Sequence, residues 1–315
     1  MEKLSVQLRQ SVFMGLLLPV LLLGGAGELA DKTAMPSFAT KDSAETVTLT
    51  DGREMALDVY LQRVLLGEMP ASFEKEALKA QAVAARTYTA KALAGGKHEG
   101  RLCTDSACCQ AFCEDAAFDA FSAEARERAA DAVRETDALV LTYEGELIEA
   151  TFFSCSGGKT EDAVAVWGTD YPYLRSVESP GEEAAKYDRD SCLISRQTLE
   201  AELEITLGDD PAVWVGETRL TVGGGVETMV LGDKCFTGVY LRRALGLRST
   251  AFAVTPEGDA LRFDTRGYGH RVGLSQYGAN AMAAGGADFR EILSHYYPGT
   301  ALLNYSESVE KLDLP

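Results

Sequence analysis

The chain has 315 residues, 46% of them hydrophobic, so it can bury a sizeable core, and global disorder is excluded. Its 48 acidic and 30 basic residues give a net charge of -18. A surface this acidic repels phosphate backbones and anionic membrane surfaces, which excludes nucleic acid as an expected partner and leaves a neutral glycan as an acceptable one.

The N-terminus carries the first predicted element, a signal-anchor or transmembrane segment over residues 1–27. Lys3 and Arg9 precede an apolar stretch from about Val12 to Ala26, whose length lies between a signal-peptide core and a full membrane span. The basic residues predict a cytoplasmic N-terminus and an exported remainder. An uncleaved anchor and a signal peptide cleaved in the small-residue stretch both fit. No later stretch is apolar enough to span a bilayer, which predicts a single pass at most.

The next predicted elements are helices. Residues 28–45 are polar and pattern-free, which is typical of a linker. Apolar spacing predicts a helix from Leu57 to Met69, ended by Pro70. Ser72 as an N-cap predicts a second helix that runs through Leu93, and a third is predicted from about Ala120 to Arg134.

Strand patterns dominate the later part of the chain. Two apolar runs on either side of Glu144-Gly145 predict a hairpin. Further strands are predicted at Trp214-Val215, Leu220–Val222, Thr228–Leu231, Phe252–Val254 and Leu261–Phe263. Short helices are predicted near Gln197–Leu203, Val239–Leu245, Ser275–Ala284 and Phe289–Tyr296. Early helices and later antiparallel strands predict an α+β domain over residues 46–304, followed by a tail over 305–315.

Glu68 is the first candidate for chemistry. It lies near the C-terminal end of its predicted helix, where the helix dipole disfavours a negative charge and raises a carboxyl pKa. A carboxyl that stays protonated near neutral pH can act as a general acid on a glycosidic oxygen. Arg86, on the following helix, is a candidate partner for a carboxylate or a sugar. An ordinary surface glutamate at a helix end fits the same pattern, so the pattern permits this role without selecting it.

Three segments carry a family resemblance. Residues 66–88 read Leu-Gly-Glu-Met-Pro-Ala-Ser-Phe and end in Ala-Ala-Arg-Thr-Tyr. Residues 153–177 contain Phe-Ser-Cys-Ser-Gly-Gly-Lys-Thr, Val-Trp-Gly and Tyr-Pro-Tyr-Leu-Arg-Ser-Val. Residues 266–279 read Arg-Gly-Tyr-Gly-His-Arg-Val-Gly-Leu-Ser-Gln-Tyr-Gly-Ala. Together these segments resemble the stage II sporulation protein D family, in order and across most of residues 55–300.

The resemblance implies a membrane-anchored lytic transglycosylase, with two lobes around a glycan groove, that acts on peptidoglycan during engulfment of the forespore. The domain would lie on the extracytoplasmic side, in the intermembrane space of the engulfing mother cell. Glu68 would be the single catalytic carboxyl. It would protonate the bond between N-acetylmuramic acid and N-acetylglucosamine, and then deprotonate the muramic 6-hydroxyl to leave a 1,6-anhydro end. One carboxyl suffices because the nucleophile belongs to the substrate.

The resemblance also implies substrate and partner contacts. It assigns substrate binding to Arg86, Tyr173 and Arg175, although the family more often has lysine at the last position, and arginine changes the hydrogen-bond geometry. Peptide-stripped glycan strands would be the substrate. A sporulation amidase and a third membrane component would be partners. No cofactor is needed for the chemistry.

The glycine-histidine segment supplies further candidates for substrate binding. His270, Ser275 and Gln276 carry groups that can hydrogen-bond sugar hydroxyls or N-acetyl groups, and the surrounding glycines allow close backbone approach. The family usually has glycine where this chain has Arg271. A Ser-His-Asp hydrolase is a weaker interpretation, because no Gly-x-Ser-x-Gly signature is present.

Seven cysteines are present, and four of them fall within eleven residues, near His98. Soft ligands spaced this closely can bind zinc. Clostridial members of the family bind zinc in the segment that this one resembles, and Cys108 stands where their pattern has histidine. The resemblance therefore predicts a structural zinc ion on Cys103, Cys108 and Cys109, with disulfides or free thiols as alternatives. Cys155, Cys192 and Cys235 are expected to be buried small apolar groups.

Two rival functions remain. Related proteins enhance cell-wall amidases with the same fold, which would make this chain a binding partner of an amidase. A purely structural, membrane-tethered scaffold is the other alternative, and it leaves the three matched segments unexplained.

Overall fold

The computed structural model describes residues 45–305 except Ala184. The predicted membrane segment, and the linker and the tail apart from Glu45 and Tyr305, lie outside the described residues. Within the described range, no helix combines the length and the apolarity needed to cross a bilayer.

The first part of the chain is mainly helical, as its spacing predicts. Its elements are β1 (Thr46–Thr48), β2 (Glu54–Ala56), α1 (Leu57–Glu68), α2 (Lys75–Ala94), a 3-10 turn at Lys97–Glu99, α3 (Asp115–Ala120) and α4 (Ala123–Glu135). The prediction that Ser72 caps α2 is wrong, because a turn in which the Phe73 N–H bonds the Pro70 carbonyl delays the helix, and Glu74 precedes it. Ser122 caps α4 by accepting the Ala125 N–H, so this helix begins later than predicted.

The predicted hairpin forms at β3 (Leu139–Tyr143) and β4 (Glu146–Leu147). Glu144 and Gly145 have φ of 52° and 87°, as a two-residue hairpin turn of the primed type requires. The second run is not one strand, because its end, β5 (Phe152–Phe153), pairs elsewhere. A short helix, α5 (Ala163–Trp167), follows.

Residues 189–266 form a second lobe with its own core. Its elements are β6 (Arg189–Ser195), α6 (Arg196–Leu203), a 3-10 turn at Pro211–Val213, β7 (Val215–Leu220), β8 (Val226–Leu231), β9 (Lys234–Thr237), α7 (Gly238–Ala244), β10 (Phe252–Pro256) and β11 (Ala260–Arg266). Antiparallel pairing gives the sheet orders β10-β11-β6 and β7-β8-β9. Trp214, Phe263 and Leu199 are fully buried in this core.

The chain then returns to the first lobe. It forms β12 (Leu274–Ser275), α8 (Gln276–Ala284), α9 (Phe289–Tyr296) and β13 (Ala301–Asn304). β12 runs parallel to β5, and β13 pairs antiparallel with β3. Helices α1, α2, α4, α8 and α9 bury a common core with Leu141, Ile148 and Leu293. The fold is therefore α+β, with two cores, and β5 and β12 mark the points where the chain leaves and re-enters the first lobe.

Candidate active site

Glu68 is the last residue of α1, and its carboxyl accepts two hydrogen bonds from distant parts of the chain. The Ala111 N–H donates to one carboxyl oxygen at 2.6 Å, and the Gln276 side-chain amide donates to the other at 3.4 Å. Gly67 allows the first contact, because a Cβ there would lie 3.0 Å from the Ala111 carbonyl oxygen. The carboxyl is half-buried, and it is held by the loop before α3 and by the first residue of α8.

Burial raises the pKa of Glu68 to about 7, and the hydrogen bonds from Ala111 and Gln276 oppose that rise because they favour the charged form. The direction matches the sequence expectation, whereas the main cause is desolvation rather than the helix end. A carboxyl with this pKa is present in both protonation states near neutral pH, so it can donate a proton and later accept one.

His270 is half-buried and fixed in orientation. Its Nδ1 atom accepts the Val272 N–H at 3.1 Å, and its ring contacts Trp167 and Phe153 at centroid distances of 5.3 and 5.5 Å. Burial, helped by the positive charge of Arg242, lowers the pKa of His270 to about 4. The imidazole is therefore neutral at physiological pH. It packs beside the partly exposed Trp167 ring and contributes no positive charge there.

Two neighbouring site candidates have different surroundings. Gln276 reaches Glu68 and belongs to the site. Ser275 is fully buried; its hydroxyl donates to Glu182 at 2.5 Å and accepts the Gly278 N–H as the N-cap of α8. Ser275 therefore orients the helix that carries Gln276 rather than facing a ligand.

Glu182 is a buried carboxylate that sequence reasoning missed. One oxygen accepts from Ser275 and Ser179. The other accepts from the Ser156 N–H and hydroxyl, the Gly157 N–H and the Cys155 thiol. This carboxylate fixes the Ser-Cys-Ser-Gly-Gly turn to the start of α8, and nothing in the local sequence around Glu182 marks it for that task.

The remaining substrate-binding candidates contact other parts of the described chain. Arg86 is 4% exposed and donates to the carbonyls of Val133 and Thr136, so within the described chain it holds the end of α4. Tyr173 is buried, and its hydroxyl accepts the Glu149 N–H at 3.1 Å. Arg175 is partly exposed and pairs with Asp170 at 2.7 Å. The structure thus gives Arg86 a structural position, while Arg175 is open to solvent.

Arg271, the departure from the family's glycine, keeps a backbone conformation that favours glycine, with φ of 66°. Its buried guanidinium pairs with Glu161 at 2.9 Å and also donates to the carbonyls of Ser156, Lys159 and Gly223. Gly223 lies between β7 and β8 in the second lobe. The guanidinium therefore ties the two lobes together.

The cysteine cluster is a compact donor set. His98, Cys103, Cys108 and Cys109 each place one ligand atom within 4.8 Å of the others. Three thiols and an imidazole match the chemistry and the number of ligands of a tetrahedral zinc site. Cys113 is buried outside this group, and none of the seven cysteines is in a disulfide.

The isolated cysteines are only partly as expected. Cys155 is buried, but its thiol donates to Glu182. The expectation that Cys192 and Cys235 are buried is wrong: Cys192 is half-buried, and Cys235 is exposed. Both side chains lie on short antiparallel strands of the second lobe, whose sheets are covered on one face only.

An α+β protein with a half-buried, raised-pKa carboxyl beside a cysteine-rich loop can be compared with known families. A family model described as Stage II sporulation protein matches residues 45–143. The chain is 33% identical over 332 residues to Stage II sporulation protein D of Bacillus subtilis (strain 168), covering 96% of each chain. This chain belongs to the stage II sporulation protein D family.

Two further relatives are similar. Stage II sporulation protein D of Bacillus amyloliquefaciens is 36% identical, covering 77% of this chain and 73% of that protein. The Amidase enhancer of Bacillus subtilis (strain 168) is 29% identical, covering 78% of this chain but 40% of that longer protein.

Proposed function

We propose that this protein is a lytic transglycosylase that cleaves peptidoglycan glycan strands during sporulation, with Glu68 as its catalytic residue. The observation that carries the proposal is the raised pKa of a half-buried carboxyl that is held by two neutral donors, Ala111 and Gln276. Membership of a sporulation family supplies the biological setting. No second carboxyl is needed, because the substrate provides the nucleophile.

Glu68 acts twice in this proposal. In its neutral form it gives a proton to the glycosidic oxygen of the leaving N-acetylglucosamine as the bond to C1 of muramic acid breaks. The resulting carboxylate then takes the proton of the muramic 6-hydroxyl as that oxygen bonds to C1. The products are a free 4-hydroxyl and a 1,6-anhydro end, and Glu68 returns to its neutral form. The Ala111 and Gln276 donors stabilise the carboxylate between the two steps.

A structural zinc ion is part of the same proposal. His98, Cys103, Cys108 and Cys109 would hold it, and it would supply rigidity rather than a reacting group. The benefit for Glu68 is indirect, because Ala111 follows Cys109 by two residues and donates to the carboxyl. A fixed loop keeps this donor in place.

The location and partners belong to the proposal as well. The N-terminal segment would anchor the domain on the extracytoplasmic side of the membrane. A sporulation amidase and a membrane component would be its partners, in keeping with the sporulation family and with the Amidase enhancer relative. If the chain enhanced an amidase without cleaving glycan, the purified protein alone would leave glycan strands intact.

The reaction class is tested with the purified full-length chain and peptide-stripped glycan strands in water enriched in oxygen-18. Transglycosylation predicts anhydro-ended products that carry no heavy oxygen, because the 6-hydroxyl and not water attacks C1. Mass spectrometry of the new ends measures this directly. Ends that carry oxygen-18 would make the enzyme a hydrolase, and intact strands would refute cleavage and favour the enhancer.

A further inference from the structure

Lys97 is a half-buried cation beside the cysteine cluster, and the proposed function does not use it. It precedes His98 in the turn after α2, and its Nζ donates hydrogen bonds to the Cys108 carbonyl and, at 3.0 Å, to the Tyr88 hydroxyl. Tyr88 donates to the same carbonyl at 3.3 Å. Among the described residues, no carboxylate lies within ion-pair distance of Lys97. Its charge is therefore held next to the cluster without an acidic partner.

The turn that carries Lys97 holds Cys108 at two points. Lys97 bonds the carbonyl of Cys108, and the Nε2 atom of His98 lies 3.2 Å from its Sγ atom. His98 and Glu99 have φ of 49° and 59°, in the left-handed region that residues other than glycine adopt only at a cost in free energy. The contacts with Cys108 offset this cost. Lys97 is therefore fixed in place, unlike a lysine on an open surface.

The charge of a zinc-loaded cluster gives this cation a role. Zinc is bound by cysteines as thiolates and by histidine as the neutral imidazole. Three thiolates, one imidazole and Zn²⁺ together leave one net negative charge. In a protein whose net charge is -18, this extra negative charge is unfavourable unless a nearby cation offsets it. The charge of Lys97 has the required sign and reaches both Cys108 and Cys109.

We propose that Lys97 compensates the charge of the third thiolate and so strengthens zinc binding by the cluster. Lys97 is a positioning residue and not a ligand, because its ammonium group bonds the Cys108 carbonyl and the Tyr88 hydroxyl. Groups that support metal ligands from outside contribute strongly to metal affinity. This inference rests on the zinc ion of the proposed function, and it adds the residue that sets how tightly that ion is held.

The test measures zinc affinity of the purified full-length chain without oxygen, by competition with a chromophoric chelator. We expect Lys97→Met to weaken zinc binding by about tenfold or more, the usual effect of losing a group that supports the ligands. Lys97→Arg keeps the positive charge and should restore most of the affinity. Arg101→Met is the matched control, because Arg101 is an exposed cation of the same loop, and it should stay within about twofold of wild type.

Cys108→His separates the effect of charge from that of the hydrogen bond to the carbonyl. With two thiolates and two imidazoles the zinc-loaded cluster is neutral, so adding Lys97→Met in this background should weaken binding by less than about threefold. Wild-type affinity in Lys97→Met, or equal weakening in both backgrounds or in Arg101→Met, would overturn the inference. A wild-type chain that binds no zinc would overturn it together with the zinc site, whereas formation of anhydro ends by the same chain would leave the catalytic proposal standing.

Discussion

At the scale of single residues, the structure separates two carboxyls that have the same pKa. Burial raises the pKa of both Glu45 and Glu68 to about 7. Glu45 lies near the charges of Arg86 and Asp58, whereas the partners of Glu68 among the described residues are the neutral donors Ala111 and Gln276. In this part of the chain no fixed charge next to Glu68 opposes or traps the proton that it releases. Surroundings, and not pKa alone, make Glu68 the candidate.

The pKa of Glu68 has a consequence for stability. The native pKa of about 7 lies above the ordinary 4.5, so the native state binds this proton more tightly, and the stability it confers is lost as the pH rises through 7. Glutamine does not titrate, so the Glu68→Gln variant does not lose this stability as the pH rises. We expect the unfolding free energy of Glu68→Gln, relative to that of wild type, to increase by about 2 kcal/mol between pH 5 and pH 8.

Urea unfolding at both pH values measures this change. Glu202→Gln, at an exposed position on α6, should show no such growth. A Glu68→Gln difference that is constant with pH would contradict the raised pKa.

At the scale of elements, the loop between α2 and α3 connects the cysteine cluster to the carboxyl. Cys108 and Cys109 bond back to the Asp105 carbonyl, Gln110 is buried against Thr89, and Ala111 donates to Glu68. These contacts fix the part of the loop between Asp105 and Ala111. An ion on the cluster would therefore stabilise the geometry of the site without taking part in the reaction.

Metal content tests this idea. Protein purified without oxygen should contain about one zinc ion per chain, and Cys109→Ser should lose it, because three ligands hold zinc more weakly than four. Cys235→Ser is the matched control, since its thiol is exposed in the second lobe. Wild-type protein without zinc, or equal loss in both variants, would reject the site.

At the scale of the whole molecule, Arg271 and Glu161 join the two lobes. Both side chains are buried, and Glu161 also accepts from Thr221 and the Gly225 N–H, on the strand connection of the second lobe. The relative position of the two lobes depends on this junction. An arginine is thus tolerated at a backbone position that favours glycine, because each nitrogen of its guanidinium donates a hydrogen bond.

Replacing Arg271 should lower the unfolding free energy of the protein. Arg271→Met leaves Glu161 buried without its counterion, and we expect a loss of about 3 kcal/mol or more in unfolding free energy. Arg219→Met is the control, because its pair with Glu217 is exposed to solvent and should contribute little to the unfolding free energy. Urea unfolding measures both losses. Equal losses in the two variants would show that the Arg271–Glu161 pair does not stabilise the fold as predicted.

The sequence predicts the fold class and most helices, because apolar spacing is a local signal. It misses β6 and β13, whose partners are distant in sequence, and it also misses β9, although β9 pairs with the neighbouring strand β8. It joins β4 to β5, because the run of apolar residues does not show that Phe152 pairs with Leu274. For the site, motif resemblance indicates Glu68 and Gln276. It does not indicate Glu182, because long-range contacts alone define what this side chain does.

The most direct measurement is the rate at which anhydro ends form from peptide-stripped strands with wild type, Glu68→Gln and Glu45→Gln. The last variant removes a carboxyl of similar pKa outside the site. Glu68→Gln should lower the rate by about a thousandfold, the usual contribution of a general acid and base, while Glu45→Gln stays within about twofold of wild type. Anhydro ends that form at the wild-type rate in Glu68→Gln would contradict the account.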